Sequence, residues 1–124
     1  MAYDEYLADR ARNYLKHKSV HFEEKKMMGG LCFMVDEKMC FGMHIDKNSQ
    51  TSLLMARVGT DQYENALSKP HCTEMNFTGR TMKGYVFVTE EGIDTDVDLE
   101  FWLQLCIDFN PFAKSSKKRT SKKK

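Results

Sequence analysis

The spacing of apolar residues changes period several times along this chain. Over residues 3–17, Tyr3, Leu7, Ala11, Tyr14 and Leu15 recur at three- and four-residue intervals, which predicts an amphipathic helix. Asp4 and Glu5 lie at its start and Lys16, His17 and Lys18 at its end, where the helix dipole favours each sign. From Phe22 the pattern shortens to strand character. Phe22 to Met28 reads as a strand with a mixed face, and Gly29-Gly30 permits a sharp turn or bulge. Leu31 to Val35 and Lys38 to Ile45 form a predicted hairpin about Asp36-Glu37, a pair outside the usual hairpin-turn chemistry.

Beyond a polar loop at residues 46–52, Leu53 to Val58 is a further strand. A short helix at about 61–68 has Thr60 as its expected N-cap and Tyr63, Ala66 and Leu67 facing in, with Pro70 just past its end. Glu74 to Phe77 is extended, Gly79 to Gly84 turns the chain, and Tyr85 to Thr89 is strand. The last predicted helix, at about 95–110, is different. Its polar positions Glu100, Gln104 and Asp108 fall on one narrow stripe, while Val97, Leu99, Phe101, Trp102, Leu103, Leu105, Cys106, Ile107 and Phe109 cover most of the rest. That apolar arc spans roughly 240°, against an ordinary one-sided stripe of about 100°. Such a helix needs cover on two sides, either the sheet plus another helix or the sheet plus a second subunit. Phe101, Trp102, Leu105 and Phe109 are the candidate partner interface.

Strands joined by tight turns and flanked by helices imply an α+β class with a mostly antiparallel sheet, an N-terminal helix, a short middle helix and a long apolar C-terminal helix. A length of 124 residues suits one domain. No stretch approaches the roughly 18 apolar residues of a membrane span. The opening MAYDEYLADR is too acidic for a signal peptide, so a cytoplasmic location is expected.

The net charge of +1 conceals an asymmetry. Residues 114–124, KSSKKRTSKKK, carry seven cations and no acid: Lys114, Lys117, Lys118, Arg119, Lys122, Lys123 and Lys124. The rest of the chain then holds 12 Lys and Arg against 18 Asp and Glu, a balance of −6. The division expected is a folded domain over 1–112 and a disordered basic tail over 113–124. That tail suits weak, salt-sensitive contact with nucleic acid, and without aromatic residues it lacks the means to stack on bases.

Sites for chemistry are sparse. Asp94, Asp96, Asp98 and Glu100 resemble the start of a calcium loop, but such a loop needs glycine and glutamate where Leu99 and Leu105 stand. These acids read better as residues at a helix N-terminus. His17 and His21, and the adjacent His71 and Cys72, complete no tetrahedral metal set. The cysteines, Cys32, Cys40, Cys72 and Cys106, read as reduced packing thiols. A tight turn at Asp36-Glu37 pairs Cys32 with Phe41 and Cys40 with Phe33, so those two thiols point apart; a longer turn reverses this. Gly79, Arg80, Lys83 and Gly84 form a candidate anion-binding turn, although the segment is no P-loop. Nine methionines suggest adaptable core or interface packing. No catalytic residue, cofactor or metal is expected.

Several blocks together carry a family resemblance. Lys26, Met27, Gly29, Gly30, Leu31 and Cys32 form the first; Arg57, Val58, Gly59 and Tyr63 follow. Met75, Phe77, Thr78, Gly79, Arg80, Met82, Lys83, Gly84, Tyr85 and Val86 come next, with Trp102 in the last helix. Across roughly residues 1–110 the chain resembles the TfoX (Sxy) N-terminal domain family. The resemblance implies a small α+β fold akin to secretion-chaperone-like domains, which are commonly dimeric. It also implies a regulatory role linked to natural competence, where full-length TfoX acts with the cyclic AMP receptor protein. Two features depart from the family pattern. A basic tail stands where full-length TfoX has its C-terminal domain, and within the matching blocks Met28 replaces a commonly aromatic position and Asp36-Glu37 a turn often written Asn-Gly. The family supplies no catalytic residue. The function expected is a non-enzymatic interaction module that binds a protein partner or itself. The alternatives are a nucleic-acid-associated accessory protein using the tail, and an anion binder or enzyme using the Gly79–Gly84 segment.

Overall fold

The computed structural model describes residues 3–27, 29–77 and 80–113, with backbone alone at 76, 77, 80 and 81. In chain order the elements are α1 (Glu5–His17), β1 (Glu23–Met27), β2 (Gly30–Val35), β3 (Lys38–Ile45), β4 (Ser52–Arg57), α2 (Thr60–Leu67), β5 (Cys72–Phe77), β6 (Arg80–Thr89) and α3 (Asp96–Phe109). Single 3₁₀ turns at Glu90–Gly92 and Asn110–Phe112 bracket α3. The six strands form one antiparallel sheet in the order β1-β2-β3-β4-β6-β5. The α+β class and the three helices agree with the sequence pattern. Among the described residues, no helix is long and apolar enough to cross a membrane.

All three helices pack on one face of the sheet. Leu31, Phe33, Phe41, Met43, Leu54, Ala56, Val86 and Val88 meet Leu7, Ala11 and Leu15 of α1, Tyr63 and Ala66 of α2, and Leu99, Trp102, Leu103 and Cys106 of α3. Alternation along each strand sends the intervening residues to the other face. There Cys32, Met34, Met55 and Met75 form a second, smaller cluster.

Helix α1 starts where Asp4 caps it, its carboxylate accepting the Tyr6 amide at 3.0 Å. Leu7, Ala8, Ala11 and Leu15 are buried, on the face that the spacing predicts. Strand β1 departs from the expected mixed face, because all five of its residues are exposed. It is an edge strand, and the packing is done by Phe22 just before it, whose ring lies 5.8 Å from that of Phe33. Arg12 tethers this edge to α1. Its guanidinium donates to both oxygens of Glu24, at 2.6 and 2.9 Å, while also meeting Glu5 and Asp9. The three carboxylates hold the Arg12 pKa above the usual arginine range, Glu24 most strongly.

The hairpin about Asp36-Glu37 is tight after all. Val35 pairs with Lys38, and both turn residues have positive φ, 55° and 63°, as a type I′ turn requires. Register nevertheless differs from the expectation. A bulge between Phe33 and Met34 pairs Phe33 with Phe41 and Cys32 with Gly42, leaving Cys40 as the extra residue. Cys40 therefore joins the helix-side core and Cys32 the opposite cluster, so the thiols do lie on opposite faces, for a different reason.

Two further expectations change. The N-cap of α2 is Gly59, not Thr60, and it provides no side-chain cap. The segment Arg80–Gly84 belongs to strand β6 and is not a turn. Pairing of β5 with β6 jumps from Asn76↔Thr81 to Glu74↔Val86, so residues 82–84 are a bulge inside a continuous strand. Gly84 has φ 93° there, and its carbonyl accepts the amides of Val58 and Gly59 at 2.8 and 3.0 Å. Gly59, with φ 87°, lies under the ring of Phe109. This contact joins the end of β4, the start of α2, the β6 bulge and the end of α3.

Candidate interaction surface

The orientation of α3 decides which apolar residues stay at the surface. Thr95 caps it, its hydroxyl accepting the Asp98 amide at 3.1 Å, and Asp96 and Asp98 occupy the first turn. At the other end Asn110 is buried and donates to the Val35 carbonyl at 3.1 Å. Fixed at both ends, α3 turns Leu99, Trp102, Leu103 and Cys106 into the core. Its flank meets α1, where the Tyr14 hydroxyl bonds to Gln104. Of the two kinds of cover anticipated for the wide apolar arc, the sheet with a second helix is therefore present in this chain.

That cover is incomplete. Val97 is 77% exposed and Phe101 is 39% exposed, one helical turn apart. They border a groove of about 260 Å³ whose walls include Lys69, Pro70 and His71, from the α2–β5 connection, and Gly92. The Lys69 ammonium sits 4.8 Å above the Phe101 ring, and the Phe101 and Trp102 rings meet edge to face at 5.2 Å. His71 adopts φ 67° and places Nδ1 3.6 Å from a Glu91 carboxylate oxygen. A side chain at Gly92 would strike Val88 at 2.6 Å and His71 at 3.0 Å, so this wall requires glycine. Exposed Asp98 lines the groove, and exposed Glu91 lies beside it through its contact with His71.

The four residues expected to form a partner interface thus separate. Phe101 is at the surface, Leu105 and Phe109 are half-buried, and Trp102, 3% exposed, is a core residue. Adjacent positions on a helix differ by about 100°, so Phe101 turns outward where Trp102 turns into the core. Of the proposed anion site, Lys83 is exposed and Gly84 is buried in the strand bulge. Gly79, the Arg80 side chain and the cations Lys114 to Lys124 lie outside the described residues. Sequence spacing did not reveal Lys69, Pro70 and His71 as the facing wall. Only Pro70 gave a signal there, as a helix terminator, and it says nothing of what packs nearby.

Among the described residues, no group of three or more His, Cys, Asp and Glu is placed to hold a metal ion. All four cysteines are free thiols. Burial pushes Cys40 up to about 12 and Cys72 up to about 11, and holds Cys106 far above its ordinary value. A thiol so protonated is a poor nucleophile at neutral pH.

The family model described as the TfoX N-terminal domain matches residues 14–110 of the chain. No curated protein and no solved structure matches it.

Proposed function

Because the chain belongs to the TfoX N-terminal domain family, we propose that it is a non-enzymatic regulatory module acting through protein–protein contacts, as a counterpart of the N-terminal domain of the competence regulator TfoX. The observation that carries this reading is the exposed pair Val97 and Phe101 beside the groove between α3 and the α2–β5 connection. Single exposed apolar residues are ordinary on a protein surface. Two in register, next to a concavity and rimmed by charge, have the anatomy of an interface core. The matching partner inserts an apolar side chain into the groove and sets cations against Glu91 and Asp98. A second copy of the chain satisfies the same chemistry, since the surface carries Lys69 as well as acids.

The test is a photo-crosslinking residue placed at Val97 in living cells, compared with one at Lys25 on the opposite edge strand. A defined adduct from position 97, absent from position 25, supports the reading and shows whether the partner is another protein or the chain itself. Equal, diffuse labelling from both positions would count against it.

A second reading rests on the seven cations of residues 114–124 beside a domain of net charge −6. In this reading the tail anchors the module near nucleic acid, and its removal leaves the folded domain with little affinity for a random duplex.

A further inference from the structure

Helix α3 keeps an apolar line on its solvent side. Val97, Phe101 and Leu105 follow at four-residue intervals, a spacing that stacks side chains along one face. Val97 and Phe101 are exposed and Leu105 is half-buried. Just past the helix end stands Phe112, 78% exposed. Asp108, also exposed, falls on the same face, because eleven residues bring a helix round to nearly the direction of Val97.

Phe112 is held away from its own groove. Asn110 ties this end of the chain to the Val35 carbonyl at 3.1 Å, and the Ala113 amide bonds back to the Asn110 carbonyl. Val97 and Phe112 are then about 22 Å apart along the axis, at 1.5 Å per residue. The ring can enter such a groove only in another copy.

Spacing and charge fix how it does so. Val97 to Phe101 and Asp108 to Phe112 are equal steps of four residues. With two α3 helices antiparallel, one register sets Phe112 against the other copy's Val97 and Asp108 against its Phe101. The Lys69 ammonium lies 4.8 Å above the Phe101 ring, so Asp108 meets a cation there. The far ends match as well. Residues 90–98 carry five acids, Glu90, Glu91, Asp94, Asp96 and Asp98, with no lysine or arginine. Lys114, two residues after Phe112, opens the run of seven cations, so the same register joins opposite charges.

We propose that two copies of this chain pair through antiparallel α3 helices, each inserting Phe112 into the other's groove beside Val97 and Phe101. This pairing rests on the reading of that groove as the module's interface and names its occupant. A two-fold axis close to Leu105 generates both insertions together, so the assembly closes at two copies and does not extend into a chain.

Sedimentation equilibrium of the full chain tests it. The expected result is a monomer–dimer equilibrium with no larger species. Phe112→Ala, Lys69→Asp and Asp108→Lys should each weaken the dimer at least tenfold. Lys69→Asp and Asp108→Lys combined in one chain should recover most of that loss, which a merely structural role for either residue would not produce. Both residues are exposed, so the fold is expected to survive, and circular dichroism of each variant checks it. A chain that stays monomeric at every concentration, or a double variant no tighter than the single ones, would overturn the pairing. A monomer that still gives a defined adduct with another protein at position 97 overturns the pairing alone. A monomer with no such adduct overturns the proposed function too.

Discussion

Replacing Gly59 by alanine should destabilise the domain by about 1–5 kcal/mol. Two effects add. The residue has φ 87° and ψ 161°, a region open essentially to glycine alone, and placing a side chain there costs about 1–3 kcal/mol. The new Cβ would also lie 2.4 Å from Cδ1 and 2.5 Å from Cε1 of the Phe109 ring. Moving the ring is overpacking, which costs about 1–3 kcal/mol, and it disturbs the Arg57 guanidinium, 5.9 Å from the ring centre. Against this, alanine restricts the unfolded chain and returns about 0.4–1 kcal/mol. A small domain has roughly 5–15 kcal/mol in total, so the loss is a large fraction. Urea unfolding followed by the fluorescence of Trp102, the single tryptophan, measures it. Phe109→Ala in the Gly59→Ala background should then cost about 1 kcal/mol less than in the wild type, because the overlap with the ring is what the second change relieves. A Gly59→Ala loss below about 1 kcal/mol, or strict additivity with Phe109→Ala, would refute the contact as described.

The remaining predictions concern the turn, the thiols and the tail. Glu37→Gly should raise stability by about 0.5–1 kcal/mol, since Glu37 holds φ 63° in the β2–β3 turn; an unchanged urea midpoint would contradict the strain. The Cys40 thiol is neutral in the fold up to about 12 against an ordinary value of 9.0, so between these limits the folded chain binds more protons than the unfolded one. Its stabilising effect is complete below about pH 9 and falls as pH rises; unfolding midpoints at about pH 8 and pH 10 should diverge less in Cys40→Val than in the wild type. Ending the chain at Ala113 should abolish duplex binding whose log-log salt slope approaches about −6 if all seven tail cations meet phosphates; a slope that survives truncation would assign the binding elsewhere.

Much of the fold could be read from periodicity because each helix buries one definite face and the strands send their residues to two. Helix α1 shows its buried face as Leu7, Ala11 and Leu15, and away from the bulges the inner strands divide their residues between two faces. Position-specific geometry was harder to read. The bulge at Phe33–Met34 and the β6 bulge at residues 82–84 depend on packing across the sheet, which no local pattern encodes. Glycine was legible as a break and misread as a turn at Gly84, where it serves a backbone contact with Gly59. The wide apolar arc of α3 correctly signalled two-sided cover and could not say which residues that cover would leave out. Helix α1 and the sheet take Leu99, Trp102 and Leu103, and only their arrangement leaves Val97 and Phe101 outside. The cluster of Cys32, Met34, Met55 and Met75 was hidden for a similar reason. Three strands and their register bring together residues that the sequence separates.

The central claim is that the exposed edge of α3 is where this module meets its partner. The most direct measurement is the affinity of the partner crosslinked at position 97 for wild-type protein, Val97→Asp and Lys25→Glu. Val97→Asp places an acid in the first turn of α3, where the dipole tolerates it, so the fold is expected to keep its stability. Within an interface it removes an apolar contact worth about 1.5 kcal/mol or more and buries an unpaired charge. Val97→Asp should therefore bind at least tenfold more weakly, with Lys25→Glu unchanged. Equal affinity for all three proteins would contradict the claim.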